Sequence, residues 1–242
     1  MGERGRRPVL AGVQIADIAA GALFGAVAIL AALHKAQSEG KGSFIDTSMT
    51  DGAMAILGPH LATHALDGVV PRAGEMMLAG RICAYTIYET KDGRHMSVGA
   101  LEPKFWAAFI QAVKRPDLSG AAFSEAKDGE KFYEQLKDLF KSRTQAEWKA
   151  LLQTADCCVE PILLMDDVMK EPLFEARGLW SDIPVGGKAV RVAKSPFFFD
   201  GRSPEGPVSV APKQGEHTES FLKEQGLSDA EIAALKSAGA IG

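Results

Sequence analysis

Residues 8–52, PVLAGVQIADIAAGALFGAVAILAALHKAQSEGKGSFIDTSMTDG, decide how the rest of the chain is read. Within them, residues 18–33 form a run of 16 residues without a charge, rich in Ala and Gly. One carboxylate, Asp17, stands directly before that run, among Ile15, Ala16, Ile18 and Ala19. A buried polar group without a partner costs roughly 2–7 kcal/mol, and an isolated charge costs more. An acid in such a place is either a helix N-cap, the commonest use of Asp there, or a group with chemistry to perform. The pattern predicts a helix from Asp17 to about Gln37, with His34 and Lys35 near its negative end and Gly40 as the stop. GSFIDTS (42–48) then reads as a short strand through Phe44 and Ile45 that delivers a Ser/Thr-rich turn.

At ~1.5 Å per residue the uncharged run spans ~24 Å, short of the ~30 Å hydrocarbon layer of a membrane. Gly21 and Gly25 have the spacing that lets helices approach closely. With Asp17 at one end and no second span, a helix buried in protein on all sides is the expected reading, without a membrane. The bulk numbers agree: 242 residues, 46% hydrophobic and 24% charged, suit an ordinary globular protein with a real core. A net charge of −4 and the lack of a basic stripe interleaved with aromatics give nucleic-acid binding no support. The N-terminal GERGRR reads as a solvated, frayed start. Cys83, Cys157 and Cys158 lack C-x-x-C spacing and make neither a disulfide framework nor a zinc site, which points to a reducing, cytoplasmic setting. A catalytic thiol is one reading, but Cys157 and Cys158 lie in TADCCVEPIL, which reads as a buried run, and small core hydrophobes are the favoured reading.

Further along, residues 50–66 predict a second helix with a break at Gly58-Pro59, and 67–80 read as a Gly- and Met-rich loop. ICAYTIYET (82–90), a Lys91-Asp92-Gly93-Arg94 turn and HMSVGAL (95–101) predict a hairpin. Helices are expected at 102–113, 130–141 and 145–153, the last with Thr144 as N-cap and Glu147 completing a capping box. A short helix at 166–169 and the segment EPLFEARG (171–178) precede short strands and Pro/Gly loops from Trp180 to Pro212. Two helices close the chain, Ser228 capping the last. His60 and His64 share a helix face at i,i+4 spacing, but without H-E-x-x-H or a third ligand no metal site is expected. Nor is there a nicotinamide or flavin fingerprint.

Several separate stretches, in order, resemble the family III CoA-transferases, the carnitine-dehydratase and bile-acid-inducible group that includes the α-methylacyl-CoA racemases. They are IADIAAG (15–21), the apolar helix ending in AAL, EGKGSFIDTSMTDG (39–52), YETKDGRHMSVGALEPKFW (88–106), TADCCVEPIL (154–163), Arg177-Gly178 and GEHTESFLKEQGLSDAEIAAL (215–235). The resemblance implies an α/β fold: the C-terminal part of a Rossmann-like large domain plus a smaller α+β domain. On this reading residues 1–75 belong to the large, CoA-binding domain, 76–199 form the small domain, and 200–242 return to the large one. Family members are longer, so the N-terminal half, with most CoA-holding residues, is expected to lie outside these 242 residues. An interlocked homodimer, or a chain supplying that half, is the implied partner. Coenzyme A is implied as part of an acyl-CoA substrate, with no permanently bound cofactor.

Racemisation beside a thioester needs one acid/base group on each face of the carbon and stabilisation of the enolate oxygen. The resemblance assigns one face to Asp17 and a supporting role to Glu102, in GALEPKF. The opposite-face His belongs to the half not present, and none of the histidines at 34, 60, 64, 95 and 217 matches its motif. In the transferase branch the same Asp is a nucleophile that forms a mixed anhydride and passes CoA to a second acid. PRAGEMMLAGR (71–81) lacks the glycine run that shields this intermediate in some transferases, which favours the racemase branch. A non-catalytic fragment or split subunit is the reading from another class. Met49, Met76 and Met77 are adaptable thioethers suited either to an acyl pocket, with Met49 as the contact, or to core filling. Glu102 beside Pro103 is equally an ordinary first-turn acid.

Overall fold

The structure is a computed structural model that describes residues 2–203 and 210–241. The sequence reading of 180–212 as short strands and loops therefore has its residues 204–209 outside the described part. By contacts the chain divides into two units, Met1–Ile162 and Leu163–Gly242. The boundaries expected from the sequence lie elsewhere, after residues 75 and 199.

The first unit opens with a continuous helix, a π-helical stretch Ile15–Leu23 running into α1, Phe24–Glu39. It ends at Gly40, whose φ of 68° is the left-handed conformation a glycine adopts without steric cost, and whose N–H bonds to the Ala36 carbonyl. Two shorter helices follow, α2 (Met49–Ile56) and α3 (Gly58–Asp67). Ser48 caps α2 through the Asp51 N–H, and the chain breaks at Leu57 ahead of Pro59, as the sequence predicts. The strand expected at Phe44 and Ile45 is absent. Residues 41–48 are irregular and Phe44 is almost wholly exposed, because no neighbouring strand is there to pair with them.

This helical part buries almost nothing. Of residues 15–67, only Ala20 is buried, so the expectation of a helix enclosed on all sides is not met within this chain. Ile15–Glu39 is long and apolar enough to cross a membrane by length and composition, and almost none of it is buried. What packs on it is α2, and the contact is backbone to backbone. A Cβ on Gly52 would lie 2.2 Å from the Ala20 carbonyl oxygen, so only glycine permits this approach. The close contact falls at Gly52 rather than at Gly25, which has open space around it.

The hydrophobic core lies further along. β1 (Tyr85–Glu89), β2 (His95–Gly99) and β3 (Val159–Pro161) form an antiparallel sheet in the order β1-β2-β3, with Glu89 opposite His95 across the turn. The turn is held by Thr90, whose hydroxyl donates to Asp92, and by Gly93 at φ 72°. Against the sheet pack α4 (Pro103–Val113), α5 (Lys131–Lys141) and α6 (Gln145–Leu152). In α5, Leu136, Leu139 and Phe140 are buried at i, i+3, i+4 spacing, the signature of one apolar face. Phe140 sits at the centre, stacked on Tyr88 with ring centroids 4.6 Å apart and in contact with Phe109 and Trp148. The capping box of Thr144 and Glu147 starts α6 as expected.

The GERGRR start is not simply frayed. Arg4 pairs with Glu125 at 3.1 Å, and Gly74 is buried against the Arg4 backbone.

The second unit contains α7 (Met165–Val168), α8 (Pro172–Ala176), an antiparallel hairpin of β4 (Trp180–Val185) and β5 (Lys188–Ala193), then α9 (Thr218–Glu224) and α10 (Asp229–Ser237). Gly186 and Gly187, both at positive φ, make the two-residue turn whose twist suits a tight hairpin. Ser228 caps α10 with Glu231 in a capping box.

Candidate active site

Asp17 is not the N-cap of its helix. Gln14 holds that position without a side-chain capping bond, and Asp17 lies in the first turn. There the unpaired N–H groups and the helix dipole favour negative charge. The carboxylate is exposed, and no hydrogen bond or ion pair holds it among the described residues. The burial expected for an acid among these apolar neighbours is therefore not met among the described residues. What the chain does provide is a rigid mount. Ala20, one turn on, is clamped by Gly52, and Gly21, four residues on, is covered by Met49, whose Cγ would lie 3.0 Å from a Cβ placed there.

Met49 is thus brought to the helix that carries Asp17. It is half exposed, at 51%, so its flexible thioether is accessible rather than spent on core filling. Met76 is only half-buried and Met77 is 51% exposed, so neither fills a core.

Glu102 is the N-cap of α4, yet its side chain makes no capping bond; its backbone carbonyl accepts from the Phe105 and Trp106 N–H groups. Its carboxylate is exposed. No hydrogen bond or ion pair joins Asp17 to Glu102 among the described residues.

One neighbour of Glu102 escaped the sequence reading. Cys158 is exposed, against the expectation of a buried run, whereas Cys157 and Cys83 are buried. A left-handed φ of 52° turns Cys158 away from the core, and its carbonyl accepts the Gly99 N–H. Partial burial, with Asp156 and then Glu102 as negative neighbours, pushes the Cys158 thiol above its ordinary range. No local pattern marks a non-glycine residue for positive φ. Among the described residues no group of three His, Cys, Asp or Glu could hold a metal, and His64 instead faces the Val69 carbonyl at 3.1 Å through Nδ1.

Comparison with known proteins supplies what geometry alone does not. Residues 1–218 match the family model described as CoA-transferase family III. The chain belongs to that family. It is 32% identical over 240 residues to the alpha-methylacyl-CoA racemase of Homo sapiens, covering 98% of this chain and 61% of that protein. It is 29% identical to the succinyl-CoA:glutarate CoA-transferase of Homo sapiens, covering 97% and 54% respectively. The crystal structure of a CAIB/BAIF family protein from Brucella suis superposes with a TM-score of 0.68 at 23% identity, over 93% of this chain and 58% of that one. The mixed α/β architecture is therefore the family III fold. The chain spans about three fifths of the length of the racemases it matches.

Proposed function

We propose that this chain carries the acid/base carboxylate of an acyl-CoA enzyme that moves a proton at the carbon beside the thioester, as in the α-methylacyl-CoA racemases. The observation that carries the reading is Asp17: an unpartnered carboxylate in the first turn of a helix, mounted by the Ala20–Gly52 contact with the accessible Met49 beside that mount.

The Asp17 carboxylate takes the α-proton, and the electron pair of the C–H bond moves into the thioester to give an enolate. A group outside these residues returns a proton to the opposite face. Glu102 supports that side, Met49 contacts the acyl chain, and coenzyme A enters only as part of the substrate. A base open to water gains none of the stabilisation of an enclosed site. The exposed apolar flank of Ile15, Ile18 and Leu23 is accordingly proposed to be covered by the remainder of the family fold or by a second, interlocked copy.

A second reading is favoured by the succinyl-CoA:glutarate CoA-transferase relative. There Asp17 attacks the thioester carbonyl and expels the CoA thiolate, leaving an aspartyl anhydride that a second acid resolves.

One experiment separates these readings. A 2-methylacyl-CoA is incubated in deuterium oxide with the chain alone and with the chain joined to the segment its relatives have in addition. Replacement of the α-hydrogen by deuterium without CoA transfer, lost in Asp17→Asn, supports racemisation. CoA passing to an added dicarboxylate supports transfer. Exchange that persists undiminished in Asp17→Asn removes Asp17 from the mechanism.

A further inference from the structure

A cavity of about 470 Å³ lies between α4 and the 3-10 helix Pro116–Ala121 with the two residues after it. It is within the size range of small-molecule sites, roughly 300–1,000 Å³. Residues 103, 106, 107, 110, 111 and 114 form one stripe along α4 and make one wall. Phe123 stands on the other side.

The walls are held in place by bonds that do not involve any occupant. The Trp106 indole N–H donates to the Leu118 carbonyl at 3.2 Å, and the Ser119 hydroxyl donates to the Pro116 carbonyl at 2.7 Å. Arg115 is committed to both carboxylate oxygens of Asp117, at 2.8 and 2.6 Å. Once these pairs are made, the cavity retains an apolar floor of Trp106 and Ile110, both nearly fully buried, and two polar groups at its edge. These are the Gln111 amide and the Lys114 ammonium, neither with a side-chain partner among the described residues. Lys114 ends α4 in the left-handed conformation, φ 56°, where the chain turns back to form the opposite wall.

We infer that this cavity binds a monocarboxylic acid with an apolar body, the body against Trp106 and Ile110 and the carboxylate at Lys114. One unpaired cation at the edge of an apolar cavity matches one anionic head on an apolar body. A cationic amphiphile meets like charge at Lys114, and a dianion finds no second cation to receive it. The inference owes nothing to Asp17.

The test is calorimetric titration of the full chain with decanoate, decanol and decylammonium. Saturable one-site binding of decanoate is expected, weakened about two- to five-fold by Lys114→Gln, as suits an exposed ion pair, and abolished by Ala107→Trp, which fills the cavity from the α4 stripe. Circular dichroism checks that each variant is folded, and Gln111→Trp replaces Ala107→Trp if that variant is not. Decanol is expected to bind as weakly as decanoate binds to Lys114→Gln. The assignment is overturned if decanoate shows no saturable binding, if decylammonium binds as tightly, or if the folded filling variant binds decanoate unchanged. The last result would place decanoate on the exposed helices instead. None of these outcomes depends on the racemase reading, so the two proposals fail separately.

Discussion

Gly52→Ala and Gly25→Ala are the same chemical change in two neighbouring helices, and the structure assigns them opposite signs. In both, alanine removes the backbone freedom of glycine and favours the helix by about 0.8–1.0 kcal/mol. At Gly25 the new methyl meets nothing nearer than Thr47 Cγ2 at 4.0 Å, so that gain is kept and stability rises by about 0.5–1 kcal/mol. At Gly52 it would lie 2.2 Å from the Ala20 oxygen and 2.9 Å from the Ala20 Cα, both backbone atoms that no rotamer change can move aside. The helices must part by roughly 1 Å, and overpacking of this kind costs about 1–3 kcal/mol. Subtracting the helix gain leaves a net loss of up to about 2 kcal/mol. Trp106, Trp148 and Trp180 all lie outside the helix pair, so the assay is urea denaturation followed by far-ultraviolet circular dichroism rather than by fluorescence. A Gly52→Ala chain stabilised over the parent as much as Gly25→Ala would refute the clamp, and with it the argument that Asp17 is rigidly mounted.

Two further outcomes follow from the core. The Gln145 side-chain amide is buried and donates to the carbonyls of His95 and Ile162 at 2.7 and 3.0 Å. The His95 oxygen also accepts the Ile162 N–H, so Gln145→Leu chiefly removes the bond to the Ile162 carbonyl and should cost about 0.5–1.5 kcal/mol; an unchanged urea midpoint by tryptophan fluorescence would contradict this. Burial pushes the Cys83 thiol up to about 11, so its thiolate is scarce at neutral pH. Iodoacetamide at pH 8 should label the native chain at the exposed Cys158 and reach Cys83 and Cys157 only in denaturant. Mass spectrometry that finds Cys83 alkylated as fast as Cys158 in the native chain would show that the core opens readily.

Much of the local structure was legible because local rules were sufficient for it. Gly40 stops α1, Leu57–Gly58–Pro59 divides α2 from α3, and Thr144 and Ser228 form their capping boxes, all from interactions within a few residues. The hairpin of β1 and β2 was visible for the same reason. The family was also legible, since its motifs recur in order along the chain and the family model covers residues 1–218.

Where neighbours distant in sequence decide, the reading went astray. Phe44 and Ile45 have strand-forming side chains but no strand beside them. Cys158 sits in a buried-looking run, yet positive φ turns it outward. Asp17 could be read as a helix cap, but it lies within the first turn and is exposed.

Order and spacing of side chains thus settled which segments become helices and hairpins, where most of them end, and which family the chain belongs to. Those features depend on contacts reached within a turn or two of backbone. The Gly52–Ala20 approach, the cavity behind α4 and the exposure of both candidate acids arose only when remote segments met, because burial belongs to the pair of surfaces and not to either sequence alone.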